Sequence, residues 1–182
     1  MCRPIIAGNG RPYGNEMDYP KRKDNRLKEF DYSQNGAYFL TICVKDRKPV
    51  LSSIKKQDEP VGAGNARPDL SELTVAGMIV EKAILSISEH YPGVFVDDYV
   101  IMPNHVHMIL RLDHDAEECR AAPAVSRIIQ QFKGTVAKQS GIQWQKSFHD
   151  HIIRNEVDYL SVYDYIENNP ARWAEDELND LK

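Results

Sequence analysis

Apolar and polar positions alternate along Ala37–Val44, where Tyr38, Leu40 and Ile42 stand against Phe39, Thr41 and Cys43. A period of two over this length predicts a strand. Ser71–His90 changes to a helical period, with Leu73, Ala76, Val80, Ala83, Ile84 and Ile87 on one stripe and Pro92-Gly93 as the stop. Alternation returns in Val94–Met102 and His105–Leu112, and Pro103-Asn104 between them predicts a hairpin. A second helix is expected over about 124–139, since Val125, Ile128, Ile129, Phe132 and Val136 form its stripe. Ser147–Ile153 is read as a fourth strand. Asn155 then caps a last helix that stops at Asn168-Asn169-Pro170, because proline disfavours helical geometry in the residue before it.

The order strand-helix-strand-strand-helix-strand is that of an α+β, ferredoxin-like fold. Right-handed crossovers put two helices on one face of an antiparallel sheet and leave the other face open. The extra C-terminal helix carries Tyr159, Tyr163 and Tyr165. Residues 1–30, rich in Gly, Pro, Asn and charge, have no period and read as a disordered arm bearing Lys21-Arg22-Lys23. The domain is expected over 31–175, with an insertion of low complexity at about 45–70 and an acidic tail at 176–182. Val61-Gly-Ala-Gly-Asn-Ala-Arg-Pro68 echoes Ile6-Ala-Gly-Asn-Gly-Arg-Pro12, too short an echo to imply a repeat architecture.

Composition narrows the class. At 182 residues, 42% hydrophobic and 27% charged, the chain suits one globular domain. Its longest apolar run is far too short to span a bilayer, and the N-terminus has no secretory leader pattern. Three widely spaced cysteines argue against a disulfide framework or a zinc ribbon and suggest a cytoplasmic protein. The net charge of −4 is unevenly spread. From Arg120 to Arg154 six basic residues face the single acid Asp150, whereas Glu156–Lys182 holds eight acids against two bases. A local phosphate-binding surface on an acidic chain is thereby allowed.

The chemistry concentrates in Ile101-Met-Pro-Asn-His-Val-His-Met-Ile-Leu-Arg-Leu112. On a strand His105 and His107 share a face, about 7 Å apart along it, and can share a metal ion. Val106, Met108, Leu110 and Leu112 then face the helices. The bland alternative is a pair of surface histidines. A second His-x-His, His149-Asp150-His151, competes, but its central acid would have to face the helices, which is costly unless paired or at a sheet edge. The metal is therefore placed at His105 and His107, with His151 in reserve as a third ligand or a phosphate contact. Tyr165 and Asn169, four apart, share a helix face and could complete the site. Arg127, Lys133, Lys138, Lys146 and Arg154 are candidate phosphate contacts, and Trp144, Phe148 or Tyr38 could stack a base.

Taken in order, Ala37-Tyr-Phe-Leu-Thr-Ile-Cys43, Val100-Ile-Met-Pro-Asn-His-Val-His107, Trp144-Gln-Lys-Ser-Phe-His-Asp-His-Ile-Ile-Arg-Asn155 and Asp164-Tyr-Ile-Glu-Asn-Asn-Pro170 resemble the small HUH single-tyrosine transposases, in particular the REP-associated tyrosine transposases. The resemblance covers roughly residues 30–175. It implies a metal-dependent single-stranded DNA endonuclease and strand transferase acting at hairpin or palindromic repeat DNA. It makes Tyr165 the nucleophile that forms a 5′-phosphotyrosine. It makes His105 and His107 ligands of Mg2+ or Mn2+, with Asn169 as the third. Relatives include monomers and homodimers. A non-catalytic binder of structured single-stranded DNA or RNA is the alternative, and a metal-dependent hydrolase of small phosphoesters a third reading.

Overall fold

The structure, a computed structural model, describes residues 31–54, 71–113, 115 and 123–179. The arm at 1–30, the Gly/Pro echo at 61–68 and the last residues of the acidic tail lie outside them. Six strands and three helices form a mixed α/β domain: β1 (Gly36–Cys43), β2 (Ser52–Ile54), β3 (Ser71–Leu73), α1 (Val75–His90), β4 (Val94–Ile101), β5 (His105–Leu112), α2 (Val125–Ser140), β6 (His149–Ile153) and α3 (Glu156–Asn168). The main sheet is antiparallel, in the order β4-β5-β1-β6, and β2-β3 form a separate small ribbon.

One correction concerns the start of the first helix. The stripe beginning at Leu73 suggested helix from Ser71, yet Ser71–Leu73 pairs with Ser52–Ile54 as a strand. Thr74 ends it by capping α1, its hydroxyl accepting from the Gly77 amide at 3.1 Å. Gly77 has a further reason to be glycine: a Cβ there would lie 2.1 Å from the Leu51 carbonyl oxygen, so the insertion's backbone rests directly on the helix.

The core lies between the sheet and the pair α1 and α2. Tyr38, Leu40, Ile42, Val106, Met108, Leu110 and Leu112 meet Val80, Ile84, Ile128, Ile129 and Val136, as a period of two against a helical stripe requires. The aromatic candidates for base stacking belong here. Tyr38 and Phe148 are buried, and Trp144 packs on Phe132 with ring centroids 5.8 Å apart.

The second correction matters more. The histidine face of the sheet is not open. α3 lies on it, and Val162 and Ile166 pack with Ile109 in a small second core flanked by Phe39, Ala37, Val100, Ile153 and Tyr159. Ile109 and Phe39 are apolar residues on the face first assigned to solvent, and α3's short apolar stripe covers them. Asn155 starts that helix, its side chain accepting from Asp158 N at 2.9 Å.

Candidate active site

Strand alternation aims His105 and His107 toward α3, and both are buried, at 0% and 2% exposure. Their Nε2 atoms stand 2.9 Å apart. Each ring is held from behind. Asn104 Oδ1 lies 2.7 Å from His105 Nδ1, and Thr41 Oγ1 lies 2.9 Å from His107 Nδ1. Thr41 reaches that position because β1 pairs with β5 in a register that sets Thr41 opposite His107. Asn104 gives its amide to the Leu178 carbonyl at 2.6 Å, which leaves its oxygen to accept from the His105 Nδ1 proton. Where Thr41 accepts likewise, both Nε2 lone pairs face one another; where its hydroxyl donates, His107 Nε2 carries a proton toward His105 Nε2. Lone pairs at that distance repel unless a proton or cation stands between them, and ring nitrogens so held from behind are the usual arrangement of metal-binding histidines.

Tyr165 comes from α3. Its ring meets Phe39 edge-on at 5.8 Å and its hydroxyl stands 3.5 Å from His107 Nε2, at the outer limit of a hydrogen bond. Phe39 also stacks on His107, ring centroids 5.1 Å apart. Tyr165 is 43% exposed, so one edge faces solvent while the hydroxyl faces the histidines.

After α3, Asn169-Pro170 opens a 3-10 turn, Pro170–Arg172, that folds the chain back over the site. Trp173 lies 6.0 Å from the His105 ring, and Asp176 Oδ2 lies 4.0 Å from His105 Nε2. Ligand atoms of His105, His107 and Asp176 all fall within 4.8 Å of one another. Asp176 Oδ1 accepts from the Leu178 amide, whereas Oδ2 is buried with no hydrogen-bond partner among the described residues. Asn169 Oδ1 is likewise buried and unpartnered. Such oxygens are costly to bury. Two imidazoles and an unpaired carboxylate oxygen at one point fit a divalent cation.

The electrostatics agree. Burial pushes His105 down to about 3, with the Arg47 charge as a second cause. His107 is also held well below its ordinary value, first by burial and then by His105, with Asp176 opposing. Both imidazoles are therefore neutral, as metal ligands must be. Tyr165 is raised by burial and then by Asp176, while a hydrogen bond from the Asn169 side chain acts in the opposite direction.

Other candidates are placed elsewhere. His149 and His151 project from β6 on the histidine side, but His151 is exposed and its Nε2 pairs with Asp158 at 2.9 Å. Asp150 does face the helix side, from the edge strand β6, and its Oδ1 is buried with no hydrogen-bond partner among the described residues. Arg127 and Lys138 sit on the outer face of α2, across the sheet from the histidines. Lys133 donates to the Gln145 and Ser147 carbonyls at 2.9 and 2.7 Å and so holds the chain entering β6. Lys146 and Arg154 are exposed at either end of β6. Asp176, Thr41 and Asn104 were not singled out from sequence. Asn104 adjoins His105 and could have been, Thr41 needed the strand register, and Asp176 was one acid among many.

The fold and site define a mixed α/β protein whose buried His-Val-His pair is met by a carboxylate and a tyrosine of the same chain. No family model matches the chain. It is 32% identical over 178 residues to an uncharacterized protein of Haemophilus influenzae, covering 86% of this chain and 92% of that one. It is 24% identical over 143 residues to the REP-associated tyrosine transposase of Escherichia coli K12, covering 78% and 70% of the two chains. The solved structure of a REP-associated tyrosine transposase bound to a REP hairpin superposes with a TM-score of 0.54 at 22% identity, over 81% of this chain and 74% of that one. In sequence the chain is similar to REP-associated tyrosine transposases over 78% of its length, at 24–26% identity. No helix among the described residues is long and apolar enough to cross a membrane.

Proposed function

We propose that the protein is a metal-dependent single-stranded DNA endonuclease and strand transferase on a ferredoxin-like frame, acting in the cytoplasm on hairpin or palindromic repeat DNA. The observation that carries this reading is the Tyr165 hydroxyl, 3.5 Å from His107 Nε2 at the edge of the His105–His107–Asp176 cluster.

Tyr165 Oη would attack the phosphorus of a phosphodiester and give up its proton. The bond from phosphorus to the 3′-oxygen breaks, and that oxygen keeps the electron pair and gains a proton. The products are a 5′-phosphotyrosine and a 3′-hydroxyl. The new ester conserves the energy of the old, so attack by another 3′-hydroxyl rejoins DNA without ATP. A phenol is nearly all protonated at neutral pH, and burial with Asp176 makes ionisation harder still. The hydrogen bond from Asn169 works the other way, toward the phenolate. Asn104 fixes the His105 tautomer, and Thr41 Oγ1 holds His107 Nδ1 in place. His105, His107 and Asp176 would hold a divalent ion, Mg2+ or Mn2+, with Asn169 Oδ1 as a further oxygen donor. When bound, that ion supplies positive charge beside the phosphate. Two imidazoles favour Mn2+, and the carboxylate adds the hard oxygen that Mg2+ also accepts.

The test is a denaturing gel with Mn2+ or Mg2+ and 3′-labelled single-stranded hairpin oligonucleotides. The label is expected in a protease-sensitive covalent band with the parent protein and not with Tyr165→Phe, which should still bind DNA within a few-fold. An adduct formed equally by Tyr165→Phe would remove the tyrosine from the mechanism. Binding without adduct across a broad hairpin panel would leave a non-catalytic binder.

A further inference from the structure

We propose that Trp173 is a nucleobase-stacking subsite, whose indole takes one of the two bases flanking the phosphate that Tyr165 would attack. This rests on the nucleic-acid reading above and extends it from phosphate to base.

The chain has two tryptophans, and the fold uses them differently. Trp144 packs against the main core. Trp173 is partly buried yet joins neither apolar cluster among the described residues. A large aromatic ring kept off the core forgoes the stabilisation that core packing supplies. Its ring neighbour is instead His105, at 6.0 Å between centroids, with the planes tilted by 41° rather than stacked. The rings form a chain of contacts, from Tyr165 to His107 at 5.3 Å, His107 to His105 at 4.4 Å, and His105 to Trp173. The nucleophile lies at one end and the indole at the other. A phosphate held at the histidines falls between them, and its own bases lie one sugar away.

Backbone bonds fix the indole in place. Trp173 N donates to the Pro170 carbonyl at 3.4 Å, and the Trp173 carbonyl accepts from Asp176 N at 3.2 Å and from Asn179 Nδ2 at 2.9 Å. The Leu178 carbonyl is held in turn by Asn104, the residue behind His105. A ring presented by a segment so tied to the histidine strand needs little further ordering when a base arrives. Charge decides between phosphate and base as its ligand. Among the exposed neighbours Glu175 and Glu177 outnumber Arg172, which disfavours phosphate. A base carries no charge and presents a π-face, so ring surface is what this segment offers nucleic acid.

The experiment uses the full chain carrying Tyr165→Phe, so that binding is measured without cleavage, on a DNA hairpin whose single-stranded extension is made abasic at each position in turn. One position, next to the cleavage point mapped with Tyr165 intact, is expected to lose about tenfold in affinity when its base is removed. Adding Trp173→Ala should weaken binding to the intact strand by the same factor and make that abasic position cost nothing further. Exchanging the base there for another should matter little, and Trp173→Phe should keep most of the coupling. Coupling is a ratio of ratios, so a general loosening of the turn by alanine cancels from it. The slope of log affinity against log salt should not change with Trp173→Ala, since no phosphate contact is lost. A shallower slope, or equal abasic costs with and without Trp173 at every position, overturns the inference. Coupling with no adduct from the parent keeps the stacking subsite and removes the endonuclease, and adduct without coupling does the reverse. A parent that binds no single-stranded DNA overturns both.

Discussion

On β5, Val106, Met108, Leu110 and Leu112 face α1 and α2, whereas His105, His107 and Ile109 face α3 and the residues after it. Both sets are buried. They differ in what is buried with them. Toward α1 and α2 the sheet loses apolar surface to apolar surface, and each methyl group adds to stability. Toward α3 it buries paired imidazole nitrogens and a carboxylate oxygen that finds no partner among the described residues. Burial alone does not separate a core from a site. Convergence does: unpaired atoms occur singly on the helix side too, at Trp144 Nε1 and Asp150 Oδ1, but only toward α3 do two imidazoles and an unpaired carboxylate oxygen meet at one point among the described residues.

The largest expected break in this comparison is His105→Ala with His107→Ala. Mn2+ binding by calorimetry and metal-dependent adduct formation should both fall to background while cooperative unfolding remains, and retained activity would move the metal elsewhere. On the opposite face, Leu110→Ala should cost about 2–5 kcal/mol in urea unfolding and leave metal affinity per folded molecule unchanged. Thr41→Val keeps shape and removes the oxygen behind His107. It should weaken Mn2+ binding about 10–100-fold with little change in stability, and a full-strength site would show that the tautomer is fixed by other means. The smallest effect belongs to Lys138→Gln on α2, which should leave hairpin affinity within about twofold, because surface cations contribute by proximity to phosphate. A tenfold loss there would put DNA on the helical side of the sheet.

Much of this was legible along the chain. The alternation of His105–Leu112 marked β5 with its bounds, and the stripe Val125–Val136 marked α2 to within a residue at each end. A strand's period is short enough to read from a few side chains. What failed needed distance information. Thr41 stands opposite His107 only through a register across 66 residues, and Asp176 looks like one more acid in an acidic stretch until the turn at Pro170 folds it back. The closed histidine face was missed for a related reason. Val162 and Ile166 give α3 an apolar stripe too short to announce where it packs. Tyr165 was reached through motif resemblance, since its own helix presents three tyrosines of similar aspect.

The approach of Tyr165 to His107 takes place within a single chain, and this has a consequence for mixtures. A protein lacking the tyrosine and one lacking both histidines each miss half of one site. Where one copy lends its helix to another, mixing the two would regenerate intact sites in part of the population. With nucleophile and imidazoles on the same polypeptide, the mixture should be as silent as either variant alone. The activity of the parent per molecule should then be indifferent to dilution.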